Sequence, residues 1–159
     1  MMTDLIQNKK ETISKLKIVL NEIRNGILCT SSRKEDFPDV EYLEIKEIDQ
    51  NDNINSLLST ASKSYCNLLA NNNIKLIYTI PQTSELLHII GTAEISKNSC
   101  DIEKYWSRKD LRNFDQGIND PRIRVLKIAI EHSQCLKSNS NSMIEILKLL
   151  GRTISRREH

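Results

Sequence analysis

The sequence predicts a mainly β protein with helices (α+β), built as an antiparallel barrel of about six strands flanked by helices. Three observations predict it. Short runs rich in β-branched and aliphatic residues recur between turn signals, at 27–30, 40–46, 56–59, 74–80, 86–95 and 123–131. Their connections are mostly of hairpin length, and no repeated βαβ unit separates them. Helical periodicity is strongest at the two ends of the chain, at 4–24 and 142–150, with short helices expected at 64–70 and 101–111. The 159 residues fit one domain. It divides into an N-terminal helix (1–25), a barrel (26–136) and a C-terminal helix with a basic tail (137–159).

Each element has its own reason. Leu5, Ile6, Ile13, Leu16, Val19, Leu20 and Ile23 recur at three-to-four spacing, with Lys9, Lys10, Glu11, Lys15 and Lys17 largely on the other side. This predicts a core-facing helix over 4–24, and Gly26 stands where a left-handed stop is expected. A first strand at 27–30 is closed by a polar loop, and Pro38 opens a second in which Val40, Tyr42, Leu43 and Ile45 pack. Asp and Asn crowd the turn at 49–55, and a third strand at 56–59 runs into Ser-Thr-Ala-Ser-Lys. The helix at 64–70 ends at Asn71, Asn72 and Asn73. A strand at 74–80 stops at Pro81 and pairs as a hairpin with 86–95, which carries Gly91. The last helix, 142–150, is stopped by Gly151.

The stretch 105–131 concentrates rare residues. It holds the single tryptophan, Trp106, with Phe114, Gly117 and Pro121. Gly117 and Asn119-Asp120-Pro121 form a loop signal, since Gly tolerates positive φ and Pro fixes the next φ. The simplest account is a helix–loop–strand connection whose tryptophan belongs to the core.

Composition excludes several functions. The net charge is +2 with 28% charged residues, so the surface is mixed, and Arg152, Arg156 and Arg157 at the tail are a solvated end. No nucleic-acid partner is expected. No apolar run approaches membrane length and no signal peptide opens the chain, so a cytoplasmic protein with no membrane partner is expected. Cys29, Cys66, Cys100 and Cys135 form no C-x-x-C pair, and reduced structural thiols are the expectation. His88, His132 and His159 do not cluster with them, so no metal site is expected.

Candidate chemistry is sparse. Ser59, Thr60, Ser62 and Lys63 at a strand-to-helix junction suit an anion, through hydroxyls, free amides and one ammonium. The competing reading is that Ser62 simply caps the helix. No Ser/His/Asp spacing, phosphate loop or G-x-G-x-x-G occurs. Glu41 and Glu44 are three apart on a strand and face opposite sides, which is unsuitable for an acid/base pair. His88 in its apolar strand reads as a core or interface histidine.

Four stretches in order carry a resemblance. They are Ile27-Leu28-Cys29-Thr30 with Pro38, then Ser62, Lys63, Leu68, Asn72 and Ile74, and then Gly91-Thr92-Ala93-Glu94-Ile95. The fourth and most specific is Trp106, Phe114, Gly117, Asp120 and Pro121. Together they resemble the FMN-binding split-barrel proteins related to pyridoxamine 5'-phosphate oxidase, in the general stress protein branch. The resemblance implies a six-stranded antiparallel split β-barrel flanked by helices, forming a homodimer with FMN at the subunit interface. An open barrel edge points to the same dimer. It further implies that Ser59, Thr60, Ser62 and Lys63 hold the flavin phosphate. Val40, Glu41, Tyr42 and Leu43 would lie along the ring system, with Trp106 closing the site. Three departures are visible. Glu41-Tyr42-Leu43 stands where many relatives carry an Arg-Pro-Met-like triplet, and the stretch 60–74 is about two residues short. Nothing matches the substrate grip of a true pyridoxamine phosphate oxidase. Two functions follow: an FMN-dependent oxidoreductase of unknown substrate, or a non-catalytic split-barrel binding or stress module. In the second, FMN is lost or replaced by another flavin, a deazaflavin or haem.

Overall fold

The structure, a computed structural model, describes residues 2–33, 35–80, 83 and 85–137. The expected helix at 142–150, the stop at Pro81 and the arginine tail lie outside these residues. The described elements are α1 (Met2–Val19), β1 (Asn25–Thr30), β2 (Asp39–Ile48), β3 (Ile54–Ser59) and α2 (Lys63–Ala70). They continue with β4 (Asn73–Ile80), β5 (Glu85–Ser96), α3 (Ser99–Tyr105) and β6 (Ile123–Lys137). All six strands pair antiparallel in the order β1-β2-β3-β6-β5-β4, and β1 returns to pair with β4. The barrel is therefore closed, and the open edge expected from sequence is absent among the described strands. Closure gives each strand a neighbour on both sides, although 39–44 of β2 pairs with β1 alone and 129–137 of β6 with β5 alone.

The barrel is filled by one face of each strand, including Leu28, Leu43, Ile45, Ile54, Leu76, Leu87, Ile89 and Ile128. Strand period two decides which residues of β2 take part. Leu43 and Ile45 point inward and are buried, so Val40 and Tyr42 must point outward, at 64% and 82% exposure. The expectation that all four pack in the core is corrected by that alternation.

Other boundaries move for local reasons. The first helix stops at Val19 rather than Arg24, because the amides of Glu22 and Ile23 both turn back to the Val19 carbonyl. The Tyr78 hydroxyl then donates to the Ile23 carbonyl, fixing the turn into β1. Gly26 is no left-handed stop. It lies inside β1, where a Cβ would press on the Tyr78 ring at 2.8 Å and on Leu76 at 3.2 Å. Asp49 organises the β2–β3 turn by accepting from the Asn51 and Asn53 amides at 2.9 and 3.0 Å and from Asn55 Nδ2 at 3.0 Å. This brings Ile54 and Asn55 into β3, two residues earlier than the sequence suggests.

The single helix expected over 101–111 is two pieces. After α3 the backbone of Trp106 is extended, and a 3-10 turn follows over Arg108–Arg112. Asp110 causes the break: its carboxylate accepts from the Ser107 amide at 2.7 Å and the Ser107 hydroxyl at 3.1 Å, which starts a new cap. Gly117 does take positive φ, +80°, as the loop signal requires. All four cysteines are free, and Cys66 and Cys100 are exposed rather than part of the core.

Candidate functional site

On the outer side of β2, a cavity of about 410 Å³ opens between that strand, the end of β3, the turn into α2 and the loop after α3. Its formation follows from the local chemistry of each wall. Ser59 ends β3, and its hydroxyl accepts from the Ala61 amide at 3.1 Å, while the Ser62 amide donates to the Ser59 carbonyl at 3.0 Å. Ser62 is the N-cap of α2, its hydroxyl accepting from the Tyr65 amide at 3.1 Å. The hydroxyls of Ser59 and Ser62 are thus committed to shaping the turn. The Thr60 amide donates to the Arg122 carbonyl at 2.9 Å, which ties this turn to the far end of the loop.

The loop wall is held by two ion-pair clusters. Lys46, at 8% side-chain exposure, donates to both oxygens of buried Asp110 at 2.9 Å and reaches Glu44 at 3.4 Å. This fixes the 3-10 turn against β2. Arg122 binds Asp120 through Nε at 3.0 Å and Nη2 at 2.8 Å, and Nη2 also meets Asp115 at 2.7 Å. The Arg122 guanidinium holds the buried Asp120 carboxyl well below the usual carboxylate range. Phe114 is buried below the loop and meets Trp106 with ring centroids 6.2 Å apart.

Of the residues expected from sequence, the cavity gathers Glu41, Tyr42, Leu43, Ser59 and Ser62. Four others stand apart from its walls. Val40 faces outward beyond it, and Thr60 contributes its backbone to the loop tie. Lys63 is 84% exposed and lies 3.8 Å from Asp39. Trp106 lines a neighbouring cavity with Tyr105 and Arg108. The walls add Phe114, which belongs to the Trp106-to-Pro121 motif, and Lys46, Asp110, Arg112, Asn113 and Arg122, which sequence reasoning did not single out. Nothing local marked them, although the bases at 108–112 and 122 fall inside the stretch that holds Trp106 and Gly117.

Glu41 is one of the residues lining the cavity. Burial pushes its carboxyl up, with nearby Asp39 acting the same way and a hydrogen bond from Ser64 opposing it. Under α2, Asn67 donates to Asp39 at 2.8 Å and to the Thr30 hydroxyl at 3.1 Å. The site therefore offers Arg112 on the loop side, without a carboxylate partner among the described residues, and the Glu41 carboxyl on β2. No nucleophile–base pair lines the cavity, His88 sits half-exposed on the outer face of β5 opposite Ile77, and among the described residues no group of His, Cys, Asp and Glu suits a metal ion. No helix of the described residues is long and apolar enough to cross a membrane.

Solved structures share this fold. A protein related to general stress protein 26 of the pyridoxinephosphate oxidase family, from Clostridium acetobutylicum, aligns with TM-score 0.67 at 18% identity, covering 82% of this chain and 90% of that one. General stress protein 26 from Bacillus anthracis gives TM-score 0.65 at 18% identity over 78% of this chain and 92% of its own. A general stress FMN/FAD binding protein from Xanthomonas citri gives 0.64 at 15% identity over 82% and 91%. No curated protein matches the chain by sequence. A closed antiparallel barrel whose second strand, turn into α2 and loop after α3 meet around one cavity thus agrees with the family that matches residues 11–159: the chain belongs to the pyridoxamine 5'-phosphate oxidase-like family.

Proposed function

We propose that this protein binds a flavin mononucleotide in the cavity beside β2 and serves as a flavin-dependent oxidoreductase. The observation that carries the reading is the convergence of Glu41, Tyr42 and Leu43 of β2 with Ser59 and Ser62 before α2 on one cavity. Family membership and the similar fold of an FMN/FAD binding protein support it. The donor set suits the group. Arg112 stands on the loop wall for a phosphate, while Arg122 holds that wall through Asp115 and Asp120. When bound, the flavin supplies electron or hydride transfer, while this chain binds, orients and shields it.

The reading moves part of the phosphate grip. Lys63, expected from sequence, is 84% exposed and lies 3.8 Å from Asp39, whereas Arg112 lines the cavity. Arg112 would take the place of the base missing from β2, where Glu41 now sits. A second copy of the chain is the proposed partner, seated on the outer face where Ile27, Val40 and Tyr42 are exposed. Ile27 lies directly opposite Tyr42 in the β1–β2 ladder, and Cys29 opposite Val40, so the exposed side chains form one patch.

A second reading has its own observation. Glu41 lines the cavity, and a carboxylate near a dianionic phosphate is unfavourable. A cofactor-free module, or one for another flavin or haem, would follow if that repulsion dominated. The absorbance spectrum of the purified protein and titration with FMN separate the two. Saturable flavin quenching is expected, and Arg112→Ala should weaken it by about 1.5–3 kcal/mol, the value of a charge-assisted bond. A protein that ignores FMN at all concentrations would leave the module reading.

A further inference from the structure

α1 is joined to the barrel by more than apolar packing. Leu16 and Val19 are buried in the core, and beside them Lys15 reaches the start of β5 and the end of β6. Its ammonium donates to Glu85 Oε2 at 2.8 Å and to Cys135 Sγ at 3.4 Å, and it meets Glu11 one turn earlier at 3.3 Å. The Cys135 thiol donates in turn to the same Glu85 oxygen at 3.4 Å. Strand register makes this contact. Cys135 pairs with Leu87, so Glu85 is its diagonal neighbour on the same face of the sheet.

An ion pair alone would tie the helix down, and the sulfur within it adds a different chemistry. A thiolate rather than a thiol is the nucleophile, and it is favoured where a base can take the proton and a cation stands beside the sulfur. Both are present. The Glu85 carboxylate is within reach of the S–H proton, and the Lys15 ammonium lies against the sulfur. Lys15 stays charged, because its hydrogen bond to Glu85 pushes its pKa well up against the opposing effect of burial. The Lys15 and Glu85 side chains are 24% and 15% exposed, which limits the screening of their charges. Cys135 itself is half-buried, which leaves a small reactant a way to the sulfur. Cys29, Cys66 and Cys100 make no side-chain hydrogen bond to a charged group among the described residues, although Cys66 and Cys100 are the more exposed thiols.

We propose that Cys135 is a peroxide-reactive thiol, oxidised by a hydroperoxide to a sulfenic acid, with Glu85 as its proton acceptor and Lys15 as the cation beside the thiolate. In this step Glu85 takes the thiol proton, and the sulfur bonds to the terminal oxygen of the hydroperoxide as the O–O bond breaks. The leaving hydroxide or alkoxide then takes the proton from Glu85. Sulfur loses two electrons and the peroxide gains them, so Cys–SH and ROOH become Cys–SOH and ROH. The cluster shares no residue with the cavity beside β2, so the inference does not rest on the flavin reading.

The experiment treats the purified full chain with substoichiometric hydrogen peroxide at neutral pH, traps sulfenic acid with dimedone, and follows each cysteine by peptide mass spectrometry. Cys135 should be labelled first, about tenfold faster than Cys66 or Cys100, since an adjacent opposite charge shifts a thiol–thiolate balance by that much or more. Exposure alone predicts the reverse order. Lys15→Met and Glu85→Gln should each slow labelling of Cys135 about tenfold while Cys66 and Cys100 react as before. A pH profile separates proton transfer from packing. At about pH 10, above the ordinary cysteine value of about 8.5, solvent removes the thiol proton and Glu85→Gln should react as fast as the wild type. A glutamate that only holds α1 in place would leave the deficit at every pH. Cys66→Ser with Cys100→Ser, both at exposed positions, should leave the Cys135 rate unchanged. Where a substitution at Lys15 or Glu85 unfolds the chain, as circular dichroism would show, the order of labelling in the wild type still decides. Cys135 left unlabelled, or labelled level with or behind Cys66 or Cys100, overturns the proposal. So does a wild-type rate in both folded charge variants, or a Glu85→Gln deficit that persists at high pH.

Discussion

On the barrel side of β2, Leu43 and Ile45 are 2% and 0% exposed, whereas on the outer side Tyr42 is 82% exposed and Lys46 is buried only because Asp110 meets it. The inner side chains are placed by the loss of apolar surface to water, which is non-directional and accepts any residue of suitable volume. On the outer face Lys46 is placed by its ion pair with Asp110 on the loop after α3. A strand can thus be secured on one face by quantity and on the other by geometry. Only the second arrangement builds a site, since it fixes where charges stand.

The largest effect should come from the geometric side. Lys46→Ala leaves Asp110 buried and short of its cation, and loss of one partner from a buried pair costs about 3–5 kcal/mol. Urea unfolding should show that loss in full. Replacing both partners, Lys46→Met with Asp110→Leu, should recover most of it, because the burial cost of the charges disappears with them. If the single and double variants are equally destabilised, the pair is not what fixes the loop to β2.

Ile45→Ala probes the opposite face. A fully buried isoleucine truncated to alanine costs about 2–5 kcal/mol, through lost transfer energy and the cavity left behind. The comparison sharpens in binding. Ile45 does not line the flavin cavity, so the folded fraction of Ile45→Ala should keep its FMN affinity, while Lys46→Ala should lose affinity along with stability. Stability by urea and affinity by flavin fluorescence, measured on both variants, check this. Equal loss of affinity would mean that the two faces are not separable.

The same contrast explains what was legible in the sequence. Period-two alternation and turn residues marked all six strands, the Asp49 turn and the Gly117 loop, because those signals are local. Glu41, Tyr42, Leu43, Ser59 and Ser62, the flavin contacts that the resemblance implies, line one cavity. What stayed hidden depends on contacts between distant positions. Nothing at Lys46 announces that its partner is Asp110, and the break after α3 follows from that carboxylate's bonds to Ser107 rather than from any Gly or Pro. Arg112 and Arg122 were equally silent, since an exposed base in a loop reads as solvated until the fold shows which cavity it faces. Lys63 stands 84% exposed and 3.8 Å from Asp39, a neighbour that its place at the helix start did not announce.

Glu41 should give the smallest effect, and it lies where the two faces of β2 meet. It shares the inward side with Leu43 yet lines the cavity, and burial raises its carboxyl above the ordinary glutamate value of about 4.3. In the window between that value and the raised one, the folded protein holds a proton that the unfolded chain has released. Stability from this group is therefore complete below the unfolded value and is lost as pH rises through the folded one. Glu41→Gln removes the dependence, so the variant should match the wild type near pH 4 and exceed it in stability at neutral pH. FMN should also bind the variant more tightly at neutral pH, because a negative charge has left the phosphate's surroundings. The difference between variant and wild type isolates Glu41 from the titration of the phosphate itself, which is common to both. Parallel pH profiles for the two proteins, in stability and in affinity, would show that Glu41 bears on neither the fold nor the site.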